Sequence, residues 1–112
     1  MTAEEIVQRQ FEAYNARDLE RFLPLFAADA RLYRPPDPEP AVVGREALAE
    51  FYRTRRFNQP DLRAELIHRT TLGSTVMDHE RIHGLGEEPV EMVMAYQVRD
   101  GLIQACYAFV AD

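Results

Sequence analysis

The sequence contains no lysine. All 13 of its basic residues are arginines, so no side chain can form a Schiff base. Basic charge is scarce overall, since 19 acids leave a net charge of −6, which argues against a nucleic-acid binder that relies on phosphate contacts. One cysteine, Cys106, rules out an internal disulfide framework and suggests a reducing compartment. In its apolar setting that thiol reads as a small buried hydrophobe rather than a nucleophile. No apolar run approaches the ~20 residues of a membrane span, so no membrane partner is expected. The acidic start Met1-Thr2-Ala3-Glu4-Glu5 lacks a signal-peptide apolar region, which makes the cytoplasm the expected location. Glycine-rich phosphate loops, C-x-x-C pairs and internal repeats are also missing.

What is present suits one domain over residues 1–112. A chain that is 46% hydrophobic can bury a single core without disulfide or metal staples. His79-Glu80-Arg81-Ile82-His83 spells H-E-x-x-H, the signature of zinc proteases. That chemistry needs a helix, where histidines four apart share a face and the glutamate reaches a metal-bound water. In a strand, four steps spread the histidines by roughly 13 Å and send the glutamate to the other face. Gly73-Ser74 before the segment, and Gly84 and Gly86 after it, bracket a strand-length run. A zinc site is therefore not expected, and neither is any other metal or cofactor.

Thr2-Ala3-Glu4-Glu5 fits a capping box opening a helix over about 3–16, with Val7, Phe11 and Tyr14 on one stripe. Asp18 reads as the N-cap of a shorter second helix carrying Leu19, Phe22, Leu23 and Phe26, bent or shortened by Pro24. Ala30–Tyr33 reads as a brief strand, and the proline-rich stretch 35–40 as a loop. Gly44-Arg45-Glu46 opens a third helix with Leu48, Phe51, Tyr52 and Arg55 at helical spacing. Strands are expected at about 62–72, 75–84, 89–98 and 102–110. The order ααβαββββ predicts an α+β fold: three helices on one side of a strongly curved, mainly antiparallel sheet.

Two hairpins allow registers to be counted. With Gly73-Ser74 as a two-residue loop, His68 falls opposite His79, and Arg69 opposite Asp78 as a cross-strand ion pair. Leu66, His68, Met77, His79 and Arg81 then share one face; Ile67, Arg69, Asp78, Glu80 and Ile82 share the other. Asp100-Gly101 signals a type I′ turn, which collects Met92, Met94, Tyr96 and Val98 with Ile103, Ala105, Tyr107 and Phe109 on one apolar face.

Phe11-Glu12-Ala13-Tyr14-Asn15-Ala16-Arg17-Asp18, Leu25-Phe26-Ala27-Ala28-Asp29-Ala30, the run from Gly44 to Tyr52, and Asp100-Gly101-Leu102-Ile103, in this order of elements, resemble the nuclear transport factor 2-like superfamily. The likeness is to its SnoaL-like and ketosteroid-isomerase-like branches, and it covers nearly the whole chain. It implies a conical half-barrel (the cystatin-like fold) with an apolar pocket at the wide end, and a homodimer built through the sheet. It places Arg34, Gln10 and Met94 where the isomerases of that family carry an aspartate, a tyrosine and a second aspartate. It also turns Met77 and His79 toward the pocket and, against the type I′ register, Cys106 and Val110 inward.

The expected ligand is a small apolar molecule, and the expected chemistry, if any, is acid–base. His79 is the first candidate, because an imidazole near pKa ~6.5 transfers protons at neutral pH. The competing reading is a histidine satisfied by a neighbouring carboxylate or by His68. His68 is the second candidate, and Tyr14 and Tyr96 are candidate hydroxyl donors. Phe11, Phe26, Tyr33, Phe51, Met77, Met92, Met94 and Tyr107 are expected to line the pocket. The cluster Arg53, Arg55, Arg56 suits a solvated face at a helix end, with anion capture as its alternative. A ligand-binding or dimerisation domain without turnover is the alternative to an isomerase, cyclase or hydratase-like enzyme.

Overall fold

Thr2 caps the first helix, α1 (Ala3–Asn15), through the expected box: the Glu5 N–H donates to Thr2 Oγ1 at 3.1 Å and the Thr2 N–H to Glu5 Oε1 at 2.9 Å. The computed structural model describes residues 1–112. Asp18 accepts from the Arg21 N–H and starts α2 (Leu19–Phe22), which Pro24 converts into a 3₁₀ turn over Leu23–Leu25. Phe26, expected on that helix, instead opens strand β1 (Phe26–Tyr33), four residues earlier than the expected start at Ala30. A two-residue strand that sequence reading missed, β2 (Val42–Val43), follows the proline loop, and α3 (Arg45–Arg55) comes next. The remaining strands are β3 (Arg63–Leu72), β4 (Thr75–His83), β5 (Val90–Arg99) and β6 (Leu102–Val110), each within a residue of its expected bounds.

The six strands form one curved, unclosed sheet in the order β2-β1-β6-β5-β4-β3. Only β1 and β6 run parallel. The helices pack on one face, giving the α+β layering expected from the element order and the half-barrel that the resemblance implies. Specific contacts fix them there. The Asn15 side chain both donates to the Ala64 carbonyl (3.0 Å) and accepts from its N–H (2.7 Å), fastening the end of α1 to β3. Arg45 donates twice to the Phe26 carbonyl, at 3.1 and 2.7 Å, holding the start of α3 on β1. At Gly84 (φ +93°) a Cβ would lie 2.4 Å from the Asp61 carbonyl oxygen, so only glycine lets the two loops approach.

Phe22 is the centre of the core, fully buried, with ring centroids of Tyr52, Phe26 and Phe57 at 4.6, 4.9 and 5.2 Å.

Two β-bulges decide which residues face the space between helices and sheet. In the β3–β4 hairpin, His68 pairs with His79 and Arg69 with Asp78, as counted from Gly73-Ser74. Beyond that point Ile67 is extra, because Leu66 already pairs with Glu80, so Leu66 turns to the face opposite His68. In the last hairpin Asp100 and Gly101 both have positive φ and join Arg99 to Leu102, as a type I′ turn requires. Val98 then pairs with Ile103 but Gln97 with Ala105, leaving Gln104 extra. From Ala105 onward the strand is flipped relative to an uninterrupted register. Cys106, Ala108 and Val110 join Tyr96, Met94 and Met92 inside, while Tyr107 and Phe109 face out.

Candidate functional site

Between the helices and the inner face of the sheet lies a cavity of about 150 Å3. Helix α1 supplies Gln10, Phe11 and Tyr14, and α3 supplies Phe51, Tyr52 and, at its end, Arg56. The sheet contributes Leu32, Glu80, Ile82, Met92, Met94, Tyr96 and Ala108, with Arg34, Leu85 and Val110 toward the rim. Thirteen of the 17 lining residues are hydrophobic, so a ligand must be mostly apolar. Apolar cavities on the order of 150 Å3 admit one benzene-sized ring.

Of the residues expected at a pocket, Phe11, Tyr14, Phe51, Met92, Met94 and Tyr96 line this one. Phe26 is buried instead against Phe22 in the core. Five others correct the reading. On β4, burial alternates so that Val76, Asp78, Glu80 and Ile82 face in and Met77, His79, Arg81 and His83 face out. Met77 and His79 therefore lie on the outer face, and His68, paired with His79, is exposed there too. Tyr33 and Tyr107 stack on each other on that same face, centroids 4.9 Å apart and planes 10° apart.

The outer face also accounts for His79. Its Nε2 lies 2.9 Å from Glu91 Oε2, Arg81 bonds the other Glu91 oxygen at 3.3 Å, and His83 meets Glu65 at 3.0 Å. Hydrogen bonds from His79, then Arg81, hold the Glu91 carboxyl below its ordinary range, and His83 does the same for Glu65. These are solvated pairs satisfied by carboxylates, away from the cavity. The H-E-x-x-H run is strand throughout, with its histidines on one face and Glu80 on the other.

Inside, the two carboxylates of β4 differ. Arg69 grips Asp78 with both prongs, Nε to Oδ1 at 2.7 Å and Nη2 to Oδ2 at 2.9 Å, and donates its remaining arm to Gln8 at 2.8 Å. That guanidinium is thus committed away from Glu80. Glu80, 5% exposed, lines the cavity. Burial first, then the Asp78 charge, push its carboxyl up to about 8, against a partial pull from Arg69. At neutral pH it is therefore mostly a protonated acid. Burial raises Tyr14 to about 12, with Arg56 offsetting part of the rise, and holds Tyr52 and Tyr96 well above the usual phenol range. All three stay protonated as hydrogen-bond donors. Cys106, raised to about 12 by burial, has no nucleophilic character.

Sequence reading missed Glu80 and Tyr52 as site residues, gave Gln10 and Arg34 no role beyond standing where the isomerases carry other residues, and held anion capture by Arg56 only as an alternative. A signal for Glu80 existed: it alternates with Val76 and Ile82, the β-branched aliphatic residues of β4, whereas His79 alternates with Arg81 and His83.

Comparison with solved structures finds the same architecture at low identity. A cystatin-fold protein from Novosphingobium aromaticivorans superimposes with a TM-score of 0.88 at 18% identity, over 96% of this chain and 97% of that one. A candidate ketosteroid isomerase from Kribbella flavida gives 0.84 at 22%, over 98% and 78%. A candidate polyketide cyclase from Sinorhizobium meliloti gives 0.79 at 20%, over 93% and 93%. At such identities the likeness carries the fold and no activity. No curated protein sequence matches the chain. The model of the SnoaL-like domain matches residues 7–106, a span holding every cavity-lining side chain except Ala108 and Val110. By that match the chain belongs to the SnoaL-like domain family.

Proposed function

We propose that this chain binds a small, mostly apolar molecule and catalyses proton transfer on it without a metal. Glu80 is the acid–base group, and the Tyr14 and Tyr96 hydroxyls hydrogen-bond the substrate oxygen on which charge develops. The observation that carries the reading is Glu80 itself: a carboxyl with no guanidinium to neutralise it, inside an apolar cavity and titrating near neutrality. Such a group gives up or takes a proton at little cost under physiological conditions. Its ionised form serves as base and its protonated form as acid.

The test is deuterium uptake from D2O at the carbon beside the carbonyl of small cyclic ketones and keto acids. Glu80→Gln is expected to lower the exchange rate by about 10²- to 10⁴-fold, the usual worth of a positioned acid–base group. His79→Gln is expected to leave it unchanged. No exchange above background while the cavity still takes ligand would replace this reading with a binder that lacks turnover, and equal catalysed rates with and without Glu80 would remove Glu80 as the acid–base group.

We also propose a homodimer through the outer face of the sheet. A row of side chains, Met77, Ala95, Tyr107 and Tyr33, crosses β4, β5, β6 and β1 in register, with Val93 and Phe109 beside it. Met77 is 42% and Phe109 44% exposed. Apolar side chains in such a contiguous band favour burial against a second copy.

A further inference from the structure

The cavity mouth carries two cations that the proton-transfer reading leaves unused. Arg34 follows β1, Arg56 ends α3, and both residues line the cavity. Arg34 is exposed and Arg56 half-buried, which puts them at the rim. Their Cζ atoms lie 5.2 and 5.0 Å from the centroid of one ring, Phe51 in the same wall. Neither belongs to any ion pair, in a chain with 19 acids to offer. Arg56 uses one arm on the Arg55 carbonyl, at 2.9 Å. The one carboxyl in the lining, Glu80, is mostly neutral at pH 7, so nothing in the wall balances the two positive charges. Uncompensated cations beside low-dielectric walls concentrate anions, and a guanidinium fork matches a carboxylate.

A second, independent observation lies deeper. Gln10 is 5% exposed and lines the same cavity, and its Oε1 is the only buried side-chain polar atom without a hydrogen-bond partner. Buried acceptors are rarely left unpaired, and a ligand O–H or N–H would satisfy this one.

We propose that the cavity takes a compact organic anion: a carboxylate at Arg34 and Arg56, a single-ring apolar body inside, and an O–H or N–H that donates to Gln10 Oε1. This names the ligand class of the pocket proposed above and rests on that reading. The cavity volume limits the body to about one ring.

The test is titration of the full chain at pH 7 with 3- and 4-hydroxybenzoate, benzoate and the neutral 3- and 4-hydroxybenzamides, followed by the NMR shifts of cavity side chains. A hydroxybenzoate is expected to bind at least about tenfold more tightly than its amide, as a charge-assisted contact worth over 1.4 kcal/mol requires. Raising NaCl from about 0.05 to 0.5 M should narrow that preference, since the rim is solvated. The double variant Arg34→Gln, Arg56→Gln should abolish it, and Gln10→Leu should remove the advantage of hydroxybenzoate over benzoate. The salt series on the unaltered chain stands even if a variant misfolds. Equal binding of acid and amide, or a preference that survives loss of both arginines, overturns the anion assignment and leaves the pocket reading intact. Failure of every probe to shift a cavity resonance overturns both.

Discussion

Asp78 and Glu80 point into the same interior from one strand, and what separates them is a single guanidinium. Arg69 satisfies both oxygens of Asp78 and has no arm left for Glu80. The consequence is a pH dependence of folding with a definite sign. Glu80 titrates near 8 when folded and near its ordinary 4.5 when unfolded, so between these values the folded chain holds one more proton. Its contribution to stability is complete below about pH 4.5 and is lost as the pH rises through about 8. Integrated over that span it amounts to on the order of 5 kcal/mol. Glu65 and Glu91 have carboxyls held below their ordinary range by their partners, so their own titration runs in the opposite sense to that of Glu80. Urea unfolding at pH 5, 6.5 and 8 should therefore show the chain weakening as pH rises, and Glu80→Gln should flatten the profile. An unaltered slope in the variant would refute the burial argument for Glu80.

At the scale of elements, the strands were legible because turn residues frame them. Gly73-Ser74 and Asp100-Gly101 set two hairpins, and counting outward from the first gave the Arg69–Asp78 pair correctly. The facing of side chains was less legible, for two physical reasons. A bulge is one inserted residue with no composition of its own, so Ile67 and Gln104 look like their neighbours while reversing everything beyond them. That reversal took Tyr107 and Phe109 to the outer face and put Cys106, Ala108 and Val110 on the inner one, where Ala108 and Val110 line the pocket. The second reason is that β4 is polar on both faces. Asp78 and Glu80 alternate with His79 and Arg81, so hydrophobicity alone points to the interior only through Val76 and Ile82. The family resemblance turned β6 the right way and β4 the wrong way.

The cross-strand pair has a further consequence. Asp78 is fully buried and Arg69 nearly so, their side chains 0% and 13% exposed. Arg69→Ala would leave a charge uncompensated in the interior, at a cost of about 3–5 kcal/mol. Arg69→Met with Asp78→Leu removes both charges and should recover most of that loss in thermal melts, because two well-packed apolar side chains replace a desolvated pair. If the double variant is no better than the single one, the pair's hydrogen bond to Gln8, rather than charge balance, is what the hairpin requires.

For the whole molecule, the two faces of the sheet divide the work. The inner face carries the cavity, and the outer face carries an apolar row flanked by the carboxylate-paired histidines, so its charges largely cancel within one copy. A self-complementary contact needs such a surface: charges already satisfied, with apolar side chains free to meet their symmetry mates. A stable interface buries about 800 Å² per partner, an area that takes in several strands and not one protruding side chain. Phe109 and Ala108 are neighbours on β6 with opposite facings, one outward and one in the cavity wall. Phe109→Glu should therefore abolish association while leaving the cavity unchanged. Light scattering is expected to give twice the chain mass for the unaltered protein and one chain mass for the variant, with unchanged hydroxybenzoate affinity. An unaltered protein of one chain mass at high concentration would remove the dimer. A variant that loses mass and ligand binding together would show that the second copy helps to shape the cavity, and that the two faces are not independent.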